Sequence, residues 1–362
     1  MYKSFNIRQI DALASSLKWL AAAQDANQDG GVPAYYRPIT GFSKSYPETT
    51  GYLIPTLESF RELWPNIHWD ERVDRMTNWL LSIQNLDGSF PGGVWPSDNA
   101  KPSVFNSGQI LYGLVSQYVK APSDELYDAL TRCADWLVSV QNEDGGWTKY
   151  SYNNQFYVYN ARVAWALELA GKALAKSSYR DAAEANIINC ISNQRSNGWF
   201  DNCSFDPKRA PVLHTYAYTT QAVLEVGLSQ SNDQFIDSTR RASEPLLAFV
   251  QKNGTLPGRV TSDFQQTSFL CPTGMAQQGI VFQRLFYAFG DACFDQAAEA
   301  LETKLCDLQS SRGSLLCLEG ALPGSVPLWG DYMRFRYPKW AIKFFLDFIY
   351  VRSSLGKKVV KG

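Results

Sequence analysis

Hydrophobic positions along the chain form two kinds of segment, which alternate from one end to the other. Segments of the first kind are amphipathic. In one of them Leu126, Leu130, Cys133 and Leu137 fall at helical spacing and make a single apolar stripe. Segments of the second kind, such as "YNARVAWALELAGKAL", are apolar on nearly every side. Six segments of each kind predict twelve helices, paired as six hairpins.

A short polar element ends each amphipathic segment. In "WLVSVQNEDGGW", the stretch from Trp136 to Trp147, a predicted helix runs into Gln141 and then into Asp-Gly-Gly. Glycine adopts a positive φ at little steric cost, so it suits the reversal after a helix. Similar elements recur every 53 to 60 residues, at Gln24, Gln84, Gln194, Gln251 and Gln309. We interpret the element as structural, with the glutamine tying each helix end to the next repeat.

Six hairpins of this type predict an all-α fold, an (α/α)6 toroid. The amphipathic helices would form an outer ring that faces water on one side. The apolar helices would form an inner ring around a central cavity. Because the repeat runs through the whole chain, we predict one toroid domain over residues 1–355 and a frayed tail over 356–362.

The repeat resembles a known superfamily. "WLVSVQNEDGGW" and "WLLSIQNLDGSF" are similar to the Gln-Trp repeats of the terpenoid cyclase and protein prenyltransferase toroids. The resemblance implies the fold and does not single out a reaction, because toroids of this architecture also serve as lanthionine cyclases, polysaccharide lyases and uronyl epimerases.

In such a ring the first turns of the inner helices point into the cavity, and this is where we expect chemistry. The positions there are mostly polar or aromatic: Tyr46, Glu48, Asn106, Gln109, Tyr159, Asn160, Arg162, His214, Tyr216, Tyr218, Cys271, Gln277, Lys339 and Trp340. Asn106 and Asn160 could instead be helix N-caps. His214 could act as an acid, a base or a ligand, or could be a buried hydrogen-bonded histidine.

A zinc site is one candidate constellation. Asp201, Cys203, His214 and Cys271 are types of side chain that bind zinc, and they lie at neighbouring helix starts. "DNC" resembles the Asp-x-Cys of protein prenyltransferases, and lanthionine cyclases bind zinc with two Cys and one His. Here the His follows the Cys by eleven residues, which departs from both patterns. The alternative is that the cysteines are small packing residues.

A glycan site is the other candidate. "GMAQQGIVFQRLFYAFGD" resembles a segment of glucuronyl epimerase-type toroids, and "RFRYPKWAIKFFLDF" resembles segments of bacterial polysaccharide-cluster proteins. Reaction at a uronic acid needs a group that neutralises the carboxylate and a base for the C5 proton. We expect catalytic roles for Glu48, Asn160, Arg162, His214, Tyr216 and Tyr218. We expect substrate-binding roles for Asn106, Gln109, Trp147, Gln277 and Trp340.

Composition restricts the possible functions. Thirty-four Lys and Arg residues against 35 Asp and Glu residues do not provide the basic surface that nucleic-acid binding needs. Seven Cys residues in no paired pattern, after an N-terminus without an apolar leader, predict free thiols in the cytoplasm. No Asp-x-Asp-Asp motif, of the kind with which some terpenoid cyclases protonate their substrate, occurs in the chain. We expect no transmembrane segment.

Three functional hypotheses remain open. The first is a lyase or epimerase that acts on a uronic-acid polysaccharide or glycoconjugate held in the cavity. The second is a zinc enzyme that acts on an isoprenoid or thiol. The third is a non-catalytic glycan-binding or polysaccharide-assembly protein. A cleft lined by Tyr, Trp, Asn and Arg would favour the first, a closed apolar funnel the second, and a cavity filled by side chains the third.

Overall fold

The described part of the chain forms two concentric rings of α-helices. The computed structural model describes residues 5–64, 67–265, 267–309 and 318–353. The outer ring consists of α1 (Ile7–Asp25), α3 (Trp69–Ser82), α5 (Asp124–Ser139), α7 (Ser177–Ser192), α9 (Asp233–Asn253) and α11 (Ala292–Leu308). The inner ring consists of α2 (Pro47–Phe60), α4 (Val104–Lys120), α6 (Ala161–Leu174), α8 (Leu213–Gln230), α10 (Pro272–Phe289) and α12 (Lys339–Arg352). The predicted (α/α)6 toroid is confirmed.

The inner helices follow one another around the axis. Each packs against the next, from α2 to α12, and α12 packs against α2 to close the ring. A helix that contacts the outer ring on one side and the axis on the other buries residues on all faces, and α8 buries every residue from Leu213 to Leu224. This order places α2 and α8 opposite each other, three steps apart in either direction.

Helix α5 illustrates how an outer helix begins and what it buries. Ser123 caps it by accepting a hydrogen bond from the Leu126 amide, and two acidic residues follow in the first turn. The stripe predicted from the sequence is buried, with Leu126, Leu130, Cys133 and Leu137 at most 9% exposed. The outer face of the helix remains in solvent.

The repeated glutamines join neighbouring repeats, as predicted. The Gln141 side-chain amide donates to the Gly145 carbonyl in its own turn, at 2.8 Å, and to the Ala182 carbonyl of α7, at 2.9 Å. Equivalent pairs of bonds start from Gln24, Gln84, Gln194 and Gln309. Gln309 reaches Ala12 of α1, so the same device joins the last repeat to the first.

The repeat glycines allow this close approach. Gly145 has φ of 81°, and a Cβ at this position would lie 2.4 Å from the Ala185 carbonyl oxygen of the next outer helix. Gly88, Gly198 and Gly320 meet the following outer helix in the same way. The fifth copy departs from the predicted pattern. Gln251 is exposed within α9, and Gly254 has open space around its Cβ position.

A small antiparallel sheet lies where the ring closes. Its strands are β1 (Tyr35–Arg37), β2 (Gly41–Phe42) and β3 (Tyr337–Pro338), in the order β2-β1-β3. Tyr36 pairs with Phe42 on one side and with Tyr337 on the other. The sheet therefore joins the loop of the first repeat to the start of α12.

Two expectations about the chain ends remain predictions. The single domain over 1–355 is not tested beyond the described residues, and the tail 356–362 lies outside them. Among the described helices, none is long and apolar enough to cross a membrane.

Candidate functional site

A cavity of about 610 Å³ opens where the inner helices begin. First-turn side chains of α2, α4, α8 and α12 line it, together with the loops that precede them. The lining residues are Tyr46, Glu48, Gly92, Gly93, Asn99, Lys101, Pro102, Ser103, Phe105, Asn106, Tyr150, Ser151, Tyr152, Tyr159, Phe205, His214, Tyr218, Tyr332, Met333 and Trp340. Five of the residues predicted to have catalytic or substrate-binding roles are among them: Glu48, Asn106, His214, Tyr218 and Trp340. Tyr46 and Tyr159, from the wider set of first-turn positions, line it as well.

The imidazole of His214 lies on the α8 side of the cavity. Its Nδ1 contacts Oε1 of Gln277 on α10, and its ring centroid lies 4.2 Å from that of Tyr218. With the Gln277 amide in this orientation, Nδ1 carries the proton and Nε2 is left as an acceptor. Burial lowers the pKa of His214 to about 3, the Gln277 bond raises it, and the Arg162 charge lowers it further. His214 is therefore neutral near pH 7 in the free protein.

Glu48 lies on the opposite side, in the first turn of α2. Burial raises its pKa to about 7, against the opposing effects of a hydrogen bond with Tyr46 and the positive charge of Arg162. A carboxyl group with this pKa exists in both protonation states near neutral pH, and can either donate or accept a proton. Because α2 and α8 are opposite in the ring, Glu48 and His214 face the cavity from opposite sides.

Arg162 lies between Tyr218, which lines this cavity, and Trp165, which lines a second one. Its Nε and Nη2 donate to Oε1 of Gln109 at 3.2 and 3.1 Å, and its guanidinium lies 5.3 Å from the Tyr218 ring. It also lies 4.7 Å from the ring of Trp165, which lines a cavity of about 250 Å³ at the other end of the inner helices. The residue is 2% exposed. It therefore places a positive charge next to the cavity wall, held by neutral amides and aromatic faces.

Six of the predicted catalytic and substrate-binding residues do not line the cavity: Arg162, Gln109 and Gln277, described above, and Tyr216, Trp147 and Asn160. The Tyr216 hydroxyl donates to the Gly198 carbonyl at 3.0 Å, so this side chain fastens a repeat turn instead of facing the axis. Trp147 is fully buried and donates its indole N–H to the Leu137 carbonyl. Asn160 donates to Ser151 Oγ at 3.1 Å and does not line the cavity. The structure thus gives Tyr216 and Trp147 packing roles.

The capping alternative differs for the two asparagines. Ser103, not Asn106, is the N-cap of α4, and its hydroxyl accepts from the Asn106 amide. The Asn106 side chain donates to the Pro91 carbonyl at 3.0 Å and lines the cavity. Asn160 does occupy the N-cap position of α6, but its side chain makes no capping hydrogen bond.

The four predicted zinc ligands are not brought together. Asp201 forms an ion pair with Arg195, and the Cys203 thiol contacts the Thr219 hydroxyl at 3.6 Å. Burial raises the pKa of both Cys203 and Cys271 to about 12, so both are thiols near pH 7 in the metal-free protein. Within the described ranges no group of three or more His, Cys, Asp and Glu side chains is placed to hold a metal ion. The donor set therefore does not fit zinc.

Several lining residues escaped the sequence analysis. Tyr332 accepts a hydrogen bond from the Trp340 indole at 2.8 Å, and its ring centroid is 5.7 Å from that of His214. Phe105 packs edge-on against Tyr218 at 5.3 Å. Lys101 and Phe205 reach the cavity from loops. Phe105 could have been found as the neighbour of Asn106 in the first turn of α4, whereas the loop residues belong to no periodic pattern.

Sequence comparison relates part of the chain to triterpene cyclases. The model of the squalene-hopene cyclase C-terminal domain matches residues 57–224, which is less than half of the chain. Lanosterol synthase from Aspergillus fumigatus is 24% identical over 197 residues, which cover 51% of this chain and 23% of that enzyme. The chain therefore spans about a quarter of the length of this curated relative.

Structural comparison relates the whole chain to toroid enzymes of carbohydrate metabolism. The unsaturated glucuronyl hydrolase of Bacillus sp. GL1 has a TM-score of 0.74 at 15% identity, over 95% of this chain and 96% of that one. Cellobiose 2-epimerase from Bacillus thermoamylovorans has a TM-score of 0.73 at 12% identity, over 93% and 97%. The cellobiose 2-epimerase of Spirochaeta thermophila gives 0.74 at 14%, over 98% of both chains.

These findings confirm the resemblance at the level of the fold. The chain is a terpenoid cyclase-like toroid, and the solved structures it resembles include uronyl hydrolase and epimerase toroids.

Proposed function

We propose that this protein is a carbohydrate-active enzyme that binds an acidic glycan in the cavity and moves a proton at a uronic acid, as an epimerase. The observation that carries the proposal is the placement of Glu48 on α2 and His214 on α8, opposite each other across the cavity. Inversion at a carbon needs a proton removed from one face and returned to the other. Groups on opposite walls meet that requirement.

The cavity walls suit a sugar. Aromatic rings provide flat apolar surfaces, with Tyr46 and Trp340 packed edge to face at 6.4 Å. Asn106, Ser103 and Lys101 add polar groups at the same cavity. The positive charges of Arg162, next to Tyr218, and of Lys101, which lines the cavity, make the site attractive to a carboxylate. The solved toroids with similar structure include enzymes named for glucuronyl groups and for cellobiose, which is consistent with a glycan substrate.

The two pKa shifts indicate the starting protonation states. Burial favours neutral His214 and protonated Glu48 in the free protein. Neutral His214 then takes the C5 proton from one face through Nε2, and protonated Glu48 returns a proton to the other face, which leaves His214 as imidazolium and Glu48 as carboxylate. The negative charge of the bound uronate stabilises the imidazolium. The reverse reaction starts from these two states and exchanges the roles of the pair.

Elimination is the related outcome of the same first step. If the group on C4 leaves with its bonding electrons after C5 loses its proton, a C4–C5 double bond forms. The product then absorbs in the ultraviolet, which distinguishes a lyase from an epimerase.

Deuterium exchange tests the proposal. The protein would be incubated in D2O with oligosaccharides of polygalacturonate, alginate, hyaluronan and heparosan, and proton NMR would follow deuterium at C5 and the uronate configuration. We expect exchange with one of these glycans. Both Glu48→Gln and His214→Gln should reduce the rate about 100-fold or more, the scale of losing a general acid or base.

Tyr216→Phe is the matched control, because it removes a hydroxyl from the same helix but outside the cavity. It should lower stability by about 1 kcal/mol through the lost hydrogen bond and retain exchange activity. Absence of both exchange and elimination with every glycan would refute the proposal. So would full activity of the Glu48→Gln and His214→Gln variants.

Isoprenoid cyclisation is the second candidate function, favoured by the match to the squalene-hopene cyclase domain over residues 57–224. The aromatic cavity walls would suit carbocation intermediates. Against it, the chain has no Asp-x-Asp-Asp motif, and polar groups face the cavity. Conversion of squalene, oxidosqualene or a prenyl diphosphate would favour this candidate and would leave the glycans untouched.

A further inference from the structure

Four aromatic side chains form a continuous surface that leads out of the cavity. We call Tyr152, Tyr157, Tyr159 and Phe205 the aromatic shelf. Tyr157 and Tyr159 are stacked with ring centroids 4.9 Å apart and planes inclined by 18°. The ring centroid of Phe205 lies 5.1 Å from that of Tyr159 and 5.5 Å from that of Tyr152. The rings therefore form one cluster, not a scatter of single exposed residues.

The shelf is continuous with the cavity. Tyr152, Tyr159 and Phe205 all line it. Tyr159 is 3% exposed, whereas Phe205 is 44% and Tyr152 is 55% exposed, so the cluster extends from the buried wall into solvent. A ligand that fills the cavity and continues outward would pass over these rings.

The two loops that carry the shelf are held in unusual backbone conformations. Tyr150, Asn153, Asn154 and Asn202 all have φ between 51° and 60°, which non-glycine residues rarely adopt. The Val158 amide donates to the Asn202 carbonyl at 3.2 Å and links the two loops. Asn tolerates this region, whereas Tyr150 is a bulky residue that seldom adopts it unless the surrounding structure holds it there.

Polar and charged groups border the shelf. Asn99, Lys101 and Ser151 line the same cavity mouth. Lys149 places its ammonium group 4.9 Å from the ring of Tyr150. Flat rings next to hydrogen-bonding groups and two lysines fit a sugar ring that stacks on one face and carries a carboxylate at its edge.

We infer that the aromatic shelf is a second sugar-binding subsite, which holds the part of an extended acidic glycan that continues beyond the cavity. The inference rests on the proposed function and deepens it. It identifies the substrate as an oligosaccharide or polysaccharide chain, whereas a monosaccharide or disaccharide would be confined to the cavity. Stacking on aromatic rings and attraction to the lysines predict that affinity rises with chain length.

The binding test is independent of turnover. Native gels would be cast with polygalacturonate, alginate, hyaluronan or heparosan, and the retardation of each variant would be measured. We expect at least one glycan to retard both the unaltered protein and Glu48→Gln. Retardation should fall at least fivefold in Tyr152→Ala/Phe205→Ala. Phe205→Leu, which keeps an apolar side chain without the ring face, should show a smaller loss.

Tyr127→Ala is the matched control. Tyr127 is 40% exposed on α5 and does not line the cavity, so it reports the effect of losing any exposed aromatic residue. It should retain full retardation. A double variant as strongly retarded as this control would overturn the shelf, and so would an unaltered protein that no glycan retards.

Chain length separates failure of the shelf from failure of the proposed function. With the glycan that exchanges deuterium, the unaltered protein should show KM at least tenfold lower for eight sugar units than for two, and the double variant should lose most of this difference. Exchange without length dependence would overturn the shelf and leave the proposed function standing. Retardation that depends on the shelf, without exchange or elimination, would overturn the proposed function and leave the shelf standing as a glycan-binding surface. If the unaltered protein forms a dimer and the double variant does not, the rings of the shelf form a protein–protein contact, and the inference is overturned.

Discussion

The glutamine that links one repeat to the next is expected to contribute measurably to stability, and Gln141→Ala is the clearest test. The side-chain amide of Gln141 donates to two backbone carbonyls, one in its own turn and one in the next outer helix. It lies beyond the last residue of α5, so the change to alanine does not alter the intrinsic helix propensity of that segment.

The magnitude follows from the two bonds. A typical intramolecular hydrogen bond contributes about 0.5–1.5 kcal/mol, so losing both should lower the free energy of unfolding by about 1–3 kcal/mol. With an unfolding entropy of about 2.1 cal/mol/K per residue, a chain of 362 residues should melt about 1–4 °C lower.

The fifth copy of the repeat provides the control. Gln251 has the same place in the sequence pattern, but it is exposed within α9. Gln251→Ala should change stability by no more than about 0.5 kcal/mol. Urea unfolding followed by circular dichroism would compare the two variants. Equal effects of Gln141→Ala and Gln251→Ala would show that the two hydrogen bonds of Gln141 add nothing to stability, and would contradict a stabilising link between repeats.

Two further predictions concern the repeat glycine and the cavity carboxyl group. Gly145→Ala should destabilise the protein by several kcal/mol more than Gly254→Ala. Both glycines have positive φ, but only at Gly145 would the new Cβ meet a carbonyl oxygen, at 2.4 Å. An equal loss of unfolding free energy in urea for the two variants would contradict this. Glu48 has its pKa raised from 4.5 to about 7, so the fold favours the protonated carboxyl. Its stabilising contribution is complete below pH 4.5 and is lost as pH rises through 7, by at most about 3 kcal/mol. Glu48→Gln should therefore gain stability relative to the unaltered protein as pH rises from 4.5 to 8, and parallel stability profiles would refute the assignment.

The periodic parts of the sequence predicted the fold correctly, because helix pairing in a toroid is set by local patterns. The apolar stripe of α5 is buried as its spacing required, and the glutamine and glycine of the repeat make the contacts expected of them. The fifth copy shows the limit of this reasoning. Its letters match the repeat, yet α9 continues through Gln251 to Asn253, and nothing in the motif itself indicated this.

The sequence also determined which helix ends face the cavity, since Glu48, Asn106, His214, Tyr218 and Trp340 all reach it. Which side chains of a helix point to the axis was decided by the tertiary structure. Tyr216 and Tyr218 are two residues apart on α8, and a separation of about 200° around the helix sends one to a repeat turn and the other to the cavity.

The sequence likewise did not determine which side chains come close to one another across the ring. Asp201 and Cys203 are near His214 in the chain, but Asp201 pairs with Arg195 and Cys203 contacts Thr219. Glu48 and His214 are more than 160 residues apart, and closure of the ring sets them on opposite walls. The pattern of apolar residues thus determines that a ring forms, because burial depends on local periodicity. Which groups meet inside the ring depends on how six hairpins close around one axis.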